Sequence, residues 1–235
     1  QFEPFYQPKV DFNTGTICGA EALARWRHPV SGVIPPGAFI SELEASGNID
    51  VLTLDMLNKA TRDCKKWIDQ GLNVTVSINL SLAGLTDPYV VNTISAIVEN
   101  NGLDTRYVTL EITETAAMTE SATALEILAR LRMRGFGLSV DDYGTGFSSL
   151  SQLTRVAFSE LKIDQSFVRG STTDPSLKTI VQSSIDMAKG LGLTSVAEGI
   201  EDQNEWDLLK ELGCNIGQGY LISKPVPVNE LIKLL

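Results

Sequence analysis

Histidine is nearly absent from this sequence. Its single copy, His28, lies in Trp26-Arg27-His28-Pro29, where it reads as a loop residue. So poor a supply argues against a His-rich zinc or iron centre and against a Ser-His-Asp triad. Cysteine is scarce too: Cys18, Cys64 and Cys214 are far apart and odd in number. That excludes a close-spaced zinc motif, suits a reducing compartment, and leaves the three as small buried hydrophobes. Basic residues are few, 19 Lys and Arg against 29 Asp and Glu for a net charge of −10. Sequence-independent binding to DNA or RNA needs clustered cations, so no direct nucleic-acid binding is expected. An acidic chain still binds an anionic ligand when its carboxylates carry metal cations.

Other features are missing as well. No apolar run approaches the roughly 18 residues that a membrane-spanning helix needs, and Gln1-Phe-Glu-Pro-Phe5 lacks the charged and apolar regions of a signal peptide. The first residue is not Met, which leads us to expect a piece of a longer protein whose anchor or regulatory domain lies elsewhere. A domain facing the cytosol is the corresponding expectation. Gly135-Phe-Gly137 and Gly217-Gln-Gly219 complete neither a dinucleotide fingerprint nor a P-loop. Without a Ser/Gly-rich linker, charge block or internal repeat, residues 1–235 read as a single domain.

What is present is a globular composition, 43% hydrophobic and 20% charged, with an ample core. One α/β barrel or two smaller domains both fit the length. Phe5 to Asp11 and Gly15 to Leu23 read as two strands around an Asn13-Thr-Gly15 turn, an antiparallel start. A short helix from Phe39 to Glu44 and a long amphipathic one from Ile49 to Gln70 follow.

From there strands and helices alternate. Strands are expected at Val74–Leu80, Tyr107–Glu114, Phe136–Val140, Glu160–Asp164, Thr194–Glu198 and Asn215–Leu221. Helices are expected at Asp87–Asn100, Ser121–Met133, Ser148–Leu153, Pro175–Leu191, Gln203–Leu212 and from Val228 onward. Alternation of this kind implies parallel pairing and favours a closed (β/α)8 TIM-like barrel with one antiparallel strand near the N-terminus.

In that architecture chemistry gathers at the carboxyl ends of the strands. Strand end after strand end carries a polar group: Glu21, Asn79, Glu111, Asp141 with Asp142, Lys162 with Asp164, Glu198 and Gln218. Charged groups on otherwise apolar strands cost stability unless they converge on something. Each also has a plain reading. Glu21 suits a surface carboxylate paired with Arg25, and Glu114 or Glu201 suits a solvated loop or the first turn of a helix. Asn79 is unusual in a strand, and Lys162 between Leu161 and Ile163 needs an anionic partner. Together they form an oxygen-rich set with one lysine, which suits Mg²⁺ or Mn²⁺. The pair Asp141-Asp142 is the kind of group that bridges two cations in phosphoester hydrolysis. A metal-dependent sugar isomerase or enolase-type barrel would use a similar set.

Motifs along nearly the whole chain resemble the EAL domain cyclic di-GMP phosphodiesterases. They are Tyr6-Gln-Pro8, Glu21-Ala-Leu-Ala-Arg25, Ser77-Ile-Asn-Leu-Ser81, Glu111-Ile-Thr-Glu114, Asp141-Asp-Tyr-Gly-Thr-Gly146, Leu161-Lys-Ile-Asp164, Ala197-Glu-Gly-Ile-Glu201 and Gln218-Gly-Tyr220. The resemblance implies a barrel with one reversed strand that hydrolyses cyclic di-GMP to linear pGpG, using two Mg²⁺ or Mn²⁺ ions and inhibited by Ca²⁺.

By motif, Glu21, Asn79, Glu111 and Asp141 match ligands of one metal; Asp141, Asp142 and Glu198 match ligands of the other. Lys162 matches the residue that positions the nucleophilic water, with Glu198 as base or ligand. Glu114 matches a residue that holds the loop from Asp142 to Ser149. Gln7, Leu23, Arg25, Asp164, Glu201 and Gln218 match positions lining the substrate site. The resemblance also implies a homodimer through the loop and helix after Asp142, and regulatory domains elsewhere in a longer chain. Tyr143 and Phe147 exchange the aromatics usual at those positions, and Gln165 replaces a common Arg; neither change removes a ligand. Some members of the family only bind the dinucleotide, so a receptor with little turnover is the competing expectation.

Overall fold

The computed structural model describes residues 1–81, 88–117, 121–144 and 155–235. Alternation of apolar and polar residues at the chain start produces a hairpin of β1 (Phe2–Asp11) and β2 (Ile17–His28). The two strands pair antiparallel from Phe2 opposite Trp26 to Val10 opposite Ile17. Asp11 closes the turn by accepting the backbone N–H groups of Asn13 and Thr14 at 2.8 and 2.9 Å, the usual way a short carboxylate stabilises a turn. A third strand, β3 (Gly32–Ile34), folds back on β2. His28 is therefore the last residue of β2, not a loop residue, and its Nδ1 accepts from the N–H groups of Val30 and Ser31.

Beyond the hairpin come α1 (Ile40–Ala45), α2 (Ile49–Asp69), β4 (Thr75–Asn79), α3 (Val90–Asn100), β5 (Val108–Thr113), α4 (Glu114–Ala117) and α5 (Ala122–Met133). The second half holds β6 (Gly137–Tyr143), β7 (Glu160–Ile163), α6 (Gln165–Val168), α7 (Pro175–Leu191), β8 (Thr194–Ala197), α8 (Gln203–Glu211), β9 (Ile216–Gly217) and α9 (Val228–Leu231). The order β1-β9-β8-β7-β6-β5-β4-β2 closes on itself through the β1–β2 pair, while β3 sits outside the ring. Within the ring, as far as the described residues go, only β1 runs against its neighbours, antiparallel to both β2 and β9. All other ring pairs are parallel. The expected barrel with one reversed strand is the fold of the protein.

Successive strand residues face opposite sides, and the pairing register shows which side is which. Val76, Ile78, Leu110, Ile112, Leu138, Val140, Leu161, Ile163 and Ala197 join one buried apolar cluster with the helices. Their neighbours in sequence, Ser77, Glu111, Ser139, Asp141, Glu160 and Lys162, point into the bore. The apolar core therefore lies between sheet and helices, and the bore is polar.

Some elements differ from the sequence-based expectation. β6 continues through Asp141 and Asp142 to Tyr143, so the aspartates extend the strand rather than follow it. β9 is cut to Ile216–Gly217, and the chain beyond it passes at Gly219 against the backbone of Ile200, in the segment after β8. β3, α4 and α6 had no periodicity long enough to announce them. The helix expected over Ser148–Leu153, the loop from Thr145 to Ser149 and the dimer contact expected there lie outside the described residues, as does Asp87. Of the three cysteines expected to be buried, Cys18 is only partly buried, unlike Cys64 and Cys214. Among the described residues no helix is long and apolar enough to cross a membrane.

The crossing at Gly219 is a tight one. A Cβ there would lie 2.1 Å from the backbone O and 2.3 Å from the backbone N of Ile200, and backbone has no room to yield. Gly219→Ala should therefore destabilise the protein by about 1–3 kcal/mol in urea denaturation. Gly37→Ala, where a Cβ meets nothing within 4 Å, should be close to neutral.

Candidate active site

At the carboxyl end of the parallel strands, Lys162 Nζ stands among four carboxylates. It lies 2.8 Å from Glu111 Oε2, 2.8 Å from Glu198 Oε1, 2.9 Å from Asp141 Oδ1 and 3.4 Å from Glu21 Oε2. These groups come from β7, β5, the end of β8, β6 and β2, which is why only ring closure brings them together. Lys162 is 1% exposed. Burial alone would lower its pKa, but the surrounding carboxylates outweigh burial and hold it well above the usual lysine value.

Amide groups tie the same carboxylates in place. Gln218 Nε2 donates to Glu21 Oε2 at 2.7 Å and to Gln7 Oε1 at 3.0 Å. Asn79 Nδ2 donates to Glu21 Oε1 at 3.0 Å. The reversal of β1 makes the first arrangement possible, because it sets Gln7 directly opposite Glu21. Burial, aided by the charge of Glu111, raises the Glu21 pKa to about 7. Burial also pushes Glu111 upward, but Lys162 and Lys9 together hold it down at about 2. Glu198 is raised well above the carboxylate range, chiefly by burial.

Asp142 has φ +55, the only positive value outside glycine among the described residues. A non-glycine residue in that region is uncommon, and such strain persists where surrounding contacts enforce it. Here the Asp142 N–H donates to Asp141 Oδ1 at 3.0 Å. The twist lets Asp141, Asp142 and Glu198 offer oxygens within 4.8 Å of one another. Burial, then the Asp141 charge, raises the Asp142 pKa. An all-oxygen donor set that holds an ammonium where a cation is needed fits a hard divalent metal such as Mg²⁺ or Mn²⁺.

Above this cluster opens a cleft of about 1090 Å³, lined by Gln7, Leu23, Arg25, Asn79, Lys162 and Gln218 among others. That volume is ample for a dinucleotide. Arg25 Nη1 donates to the Ala24 carbonyl at 2.9 Å, and the guanidinium stacks over Phe5. One wall is apolar, made by Pro35, Pro36, Ile40 and Leu52.

Other expected residues stand further out. Asp164 caps α6 by accepting the Ser166 N–H at 3.0 Å, and Glu201 pairs with Arg169 at 2.5 Å. Glu114 starts α4, and its Oε2 accepts the N–H of Gly144 at 2.9 Å, a described residue within the Asp142-to-Ser149 stretch it was expected to hold. Lys9 and Glu160 escaped the sequence reading although both lie in the bore beneath Glu111. The available signal was spacing: Lys9 is two residues from Gln7, and Glu160 two from Lys162, so each shares a strand face with an expected site residue.

A cluster of like charges destabilises the metal-free fold, and the sign of the Glu21 effect follows from its raised pKa. Its ionisation in the folded state is disfavoured, so stability falls as pH rises from the unfolded value near 4.5 through about 7. Glu21→Gln should therefore raise the melting temperature of EDTA-treated protein at pH 8, with a smaller difference at pH 5.5. With Mn²⁺ added the wild type should gain more than the variant.

The comparisons with known proteins agree with this geometry. The family model described as EAL domain matches residues 1–225. The chain is 37% identical over 227 residues to the cyclic di-GMP phosphodiesterase RocR of Pseudomonas aeruginosa, covering 97% of this chain and 58% of that protein. It is 35% identical to the oxygen sensor protein DosP of Escherichia coli, over 98% of this chain and 29% of that one. It thus spans little more than half, or less, of these relatives. Among solved structures, PaMucR phosphodiesterase in complex with c-di-GMP superposes with a TM-score of 0.93 at 37% identity, covering 98% of this chain and 94% of that one. BlrP1 of Klebsiella pneumoniae, solved with manganese and cy-diGMP, gives 0.84 at 30% identity over 96% of this chain and 56% of that one. Sequence, topology and the carboxylate cluster converge, and the chain belongs to the EAL domain family.

Proposed function

We propose that this domain hydrolyses one phosphodiester bond of cyclic di-GMP to give linear pGpG, using two Mg²⁺ or Mn²⁺ ions. The observation that carries the reading is the ring of Glu21, Glu111, Asp141 and Glu198 around one ammonium, a cation site at the floor of a dinucleotide-sized cleft. Similarity to proteins named as cyclic di-GMP phosphodiesterases supports the choice of substrate. In this reading Glu21, Asn79, Glu111 and Asp141 hold one ion, and Asp141, Asp142 and Glu198 hold the other. The bound ions supply a water of lowered pKa and neutralise charge at phosphorus.

The remaining roles belong to the chain's own groups. Lys162 donates hydrogen bonds that orient the attacking water and stabilise negative charge developing on oxygen. Glu198, whose Oε1 lies 2.8 Å from Lys162 Nζ, accepts the proton of that water or serves as a ligand. Arg25 offers its guanidinium to a phosphate, while Gln7, Leu23 and Gln218 position the nucleotide. Asp164 and Glu201 act at the rim, where they hold α6 and Arg169. Glu114 keeps the chain after Asp142 in the shape the site needs. The domain is the output module of a longer protein in this reading, as it is only part of RocR and DosP, and it works on the cytosolic side.

Purified protein with Mn²⁺ should convert cyclic di-GMP to pGpG, followed by chromatography, and lose that activity in EDTA or on replacement of Mn²⁺ by Ca²⁺. Asp141→Asn and Glu111→Gln should each abolish turnover. Asp174→Asn should leave it intact, because Asp174 serves as the N-cap of α7, accepting the Ser176 N–H, a role asparagine fills equally well. Tight substrate binding with no pGpG in any metal would make the domain a receptor instead.

A further inference from the structure

Lys9 lies deep in the bore, on the side of Glu111 away from the cleft, and is 2% exposed. Its Nζ meets three groups: Glu111 Oε1 at 2.8 Å, Ser77 Oγ at 2.8 Å and Glu160 Oε1 at 3.0 Å. Glu111 is thereby divided between two lysines, with Oε1 bonded to Lys9 and Oε2 to Lys162. The two contacts differ in what a cation can disturb. Lys162 occupies the cluster that faces the cleft, whereas Lys9 is anchored from below by β4 and β7. A metal approaching from the cleft competes with Lys162 and leaves Lys9 in place.

This has a consequence for metal choice. Mg²⁺ and Mn²⁺ favour octahedral sites in which a carboxylate gives one oxygen, whereas Ca²⁺ takes 6–8 oxygens and commonly uses both oxygens of a carboxylate. We propose that Lys9, fixed by Glu160 and Ser77, is a positioning residue that commits one oxygen of Glu111 and so limits this ligand to a single oxygen, favouring small octahedral cations over Ca²⁺. The inference rests on the metal-dependent reading of the site given above. It assigns to Lys9 and Glu160 a part in metal selection that acts wholly through Glu111.

The test is calorimetric titration of Mn²⁺ and of Ca²⁺ into EDTA-stripped protein without substrate, read as the ratio of the two Kd values. Removing an outer-shell partner of a ligand commonly costs 10–100-fold in affinity. Lys9→Met should therefore weaken Mn²⁺ binding by at least about tenfold and reduce the preference for Mn²⁺ over Ca²⁺. Lys9→Met also leaves Glu160 buried without its cation, which lowers stability. The double variant Lys9→Met/Glu160→Met removes that penalty, so its melting temperature should recover while the metal preference stays reduced. Recovery of the wild-type ratio together with stability would show that Lys9 is only structural and would overturn the proposal. If Lys9→Met does not fold, the double variant and Glu160→Gln, which loosens one anchor of Lys9, are judged by the same ratio. Failure of the wild type to bind either ion would instead remove the metal reading on which the proposal stands.

Discussion

Repulsion among buried carboxylates is the constraint on which this barrel depends. Two like charges about 4 Å apart at an effective dielectric of about 20 repel by about 4 kcal/mol. Here Glu21, Glu111, Asp141 and Glu198 all converge on one point. Without a cation at that point such a cluster would not stay both folded and ionised. Lys162 provides the charge in the metal-free protein, one ammonium among four acids, and burial first, then the neighbouring carboxylates, raises the pKa values of Glu21 and Glu198. Remaining affinity for cations is thus built into the electrostatics of the fold, before any ligand geometry is considered.

The barrel tolerates this cluster because its stability comes from another layer. Outward-facing Val, Ile and Leu residues of the strands pack against the helices in a continuous apolar cluster. The inward face is therefore released from the usual requirement for bulky branched residues in the bore. Stacked along the axis are Lys162 and Lys9, with Glu111 between them and Glu160 below. Alternating signs let successive charged layers satisfy one another, so the polar bore does not rest on solvent.

Much of the site was legible because a strand places residues two apart on one face and a parallel barrel collects strand ends at one rim. Glu21, Asn79, Glu111, Asp141, Lys162, Glu198 and Gln218 could be assembled from that rule, and the structure brings them together. Lys9 and Glu160 were missed because they lie one step further down the same faces, where nothing in the residue types distinguishes a buried ion pair from two solvated charges. β3 and the short helices α4 and α6 were missed because three or four residues carry too little periodicity to register. Asp142 reads as a turn residue by type, yet it lies within β6, one residue before its end, in a left-handed conformation that no local preference announces.

The sequence by itself determined the alternation of strands and helices, the apolar outward faces, and the inventory of carboxylates available to a cation. Each depends on residues close together in the chain, and local periodicity reports such features directly. Only the tertiary structure decided which oxygen meets which partner: Glu111 Oε1 with Lys9 and Oε2 with Lys162, and Gln218 between Gln7 and Glu21. Those contacts join residues from 51 to 211 positions apart. The contacts of Lys9, Gln7 and Gln218 exist because the reversed first strand closes the ring between β2 and β9, and that of Glu111 with Lys162 because β5 and β7 flank β6; such pairings are set by the packing of the whole barrel rather than by any stretch within it.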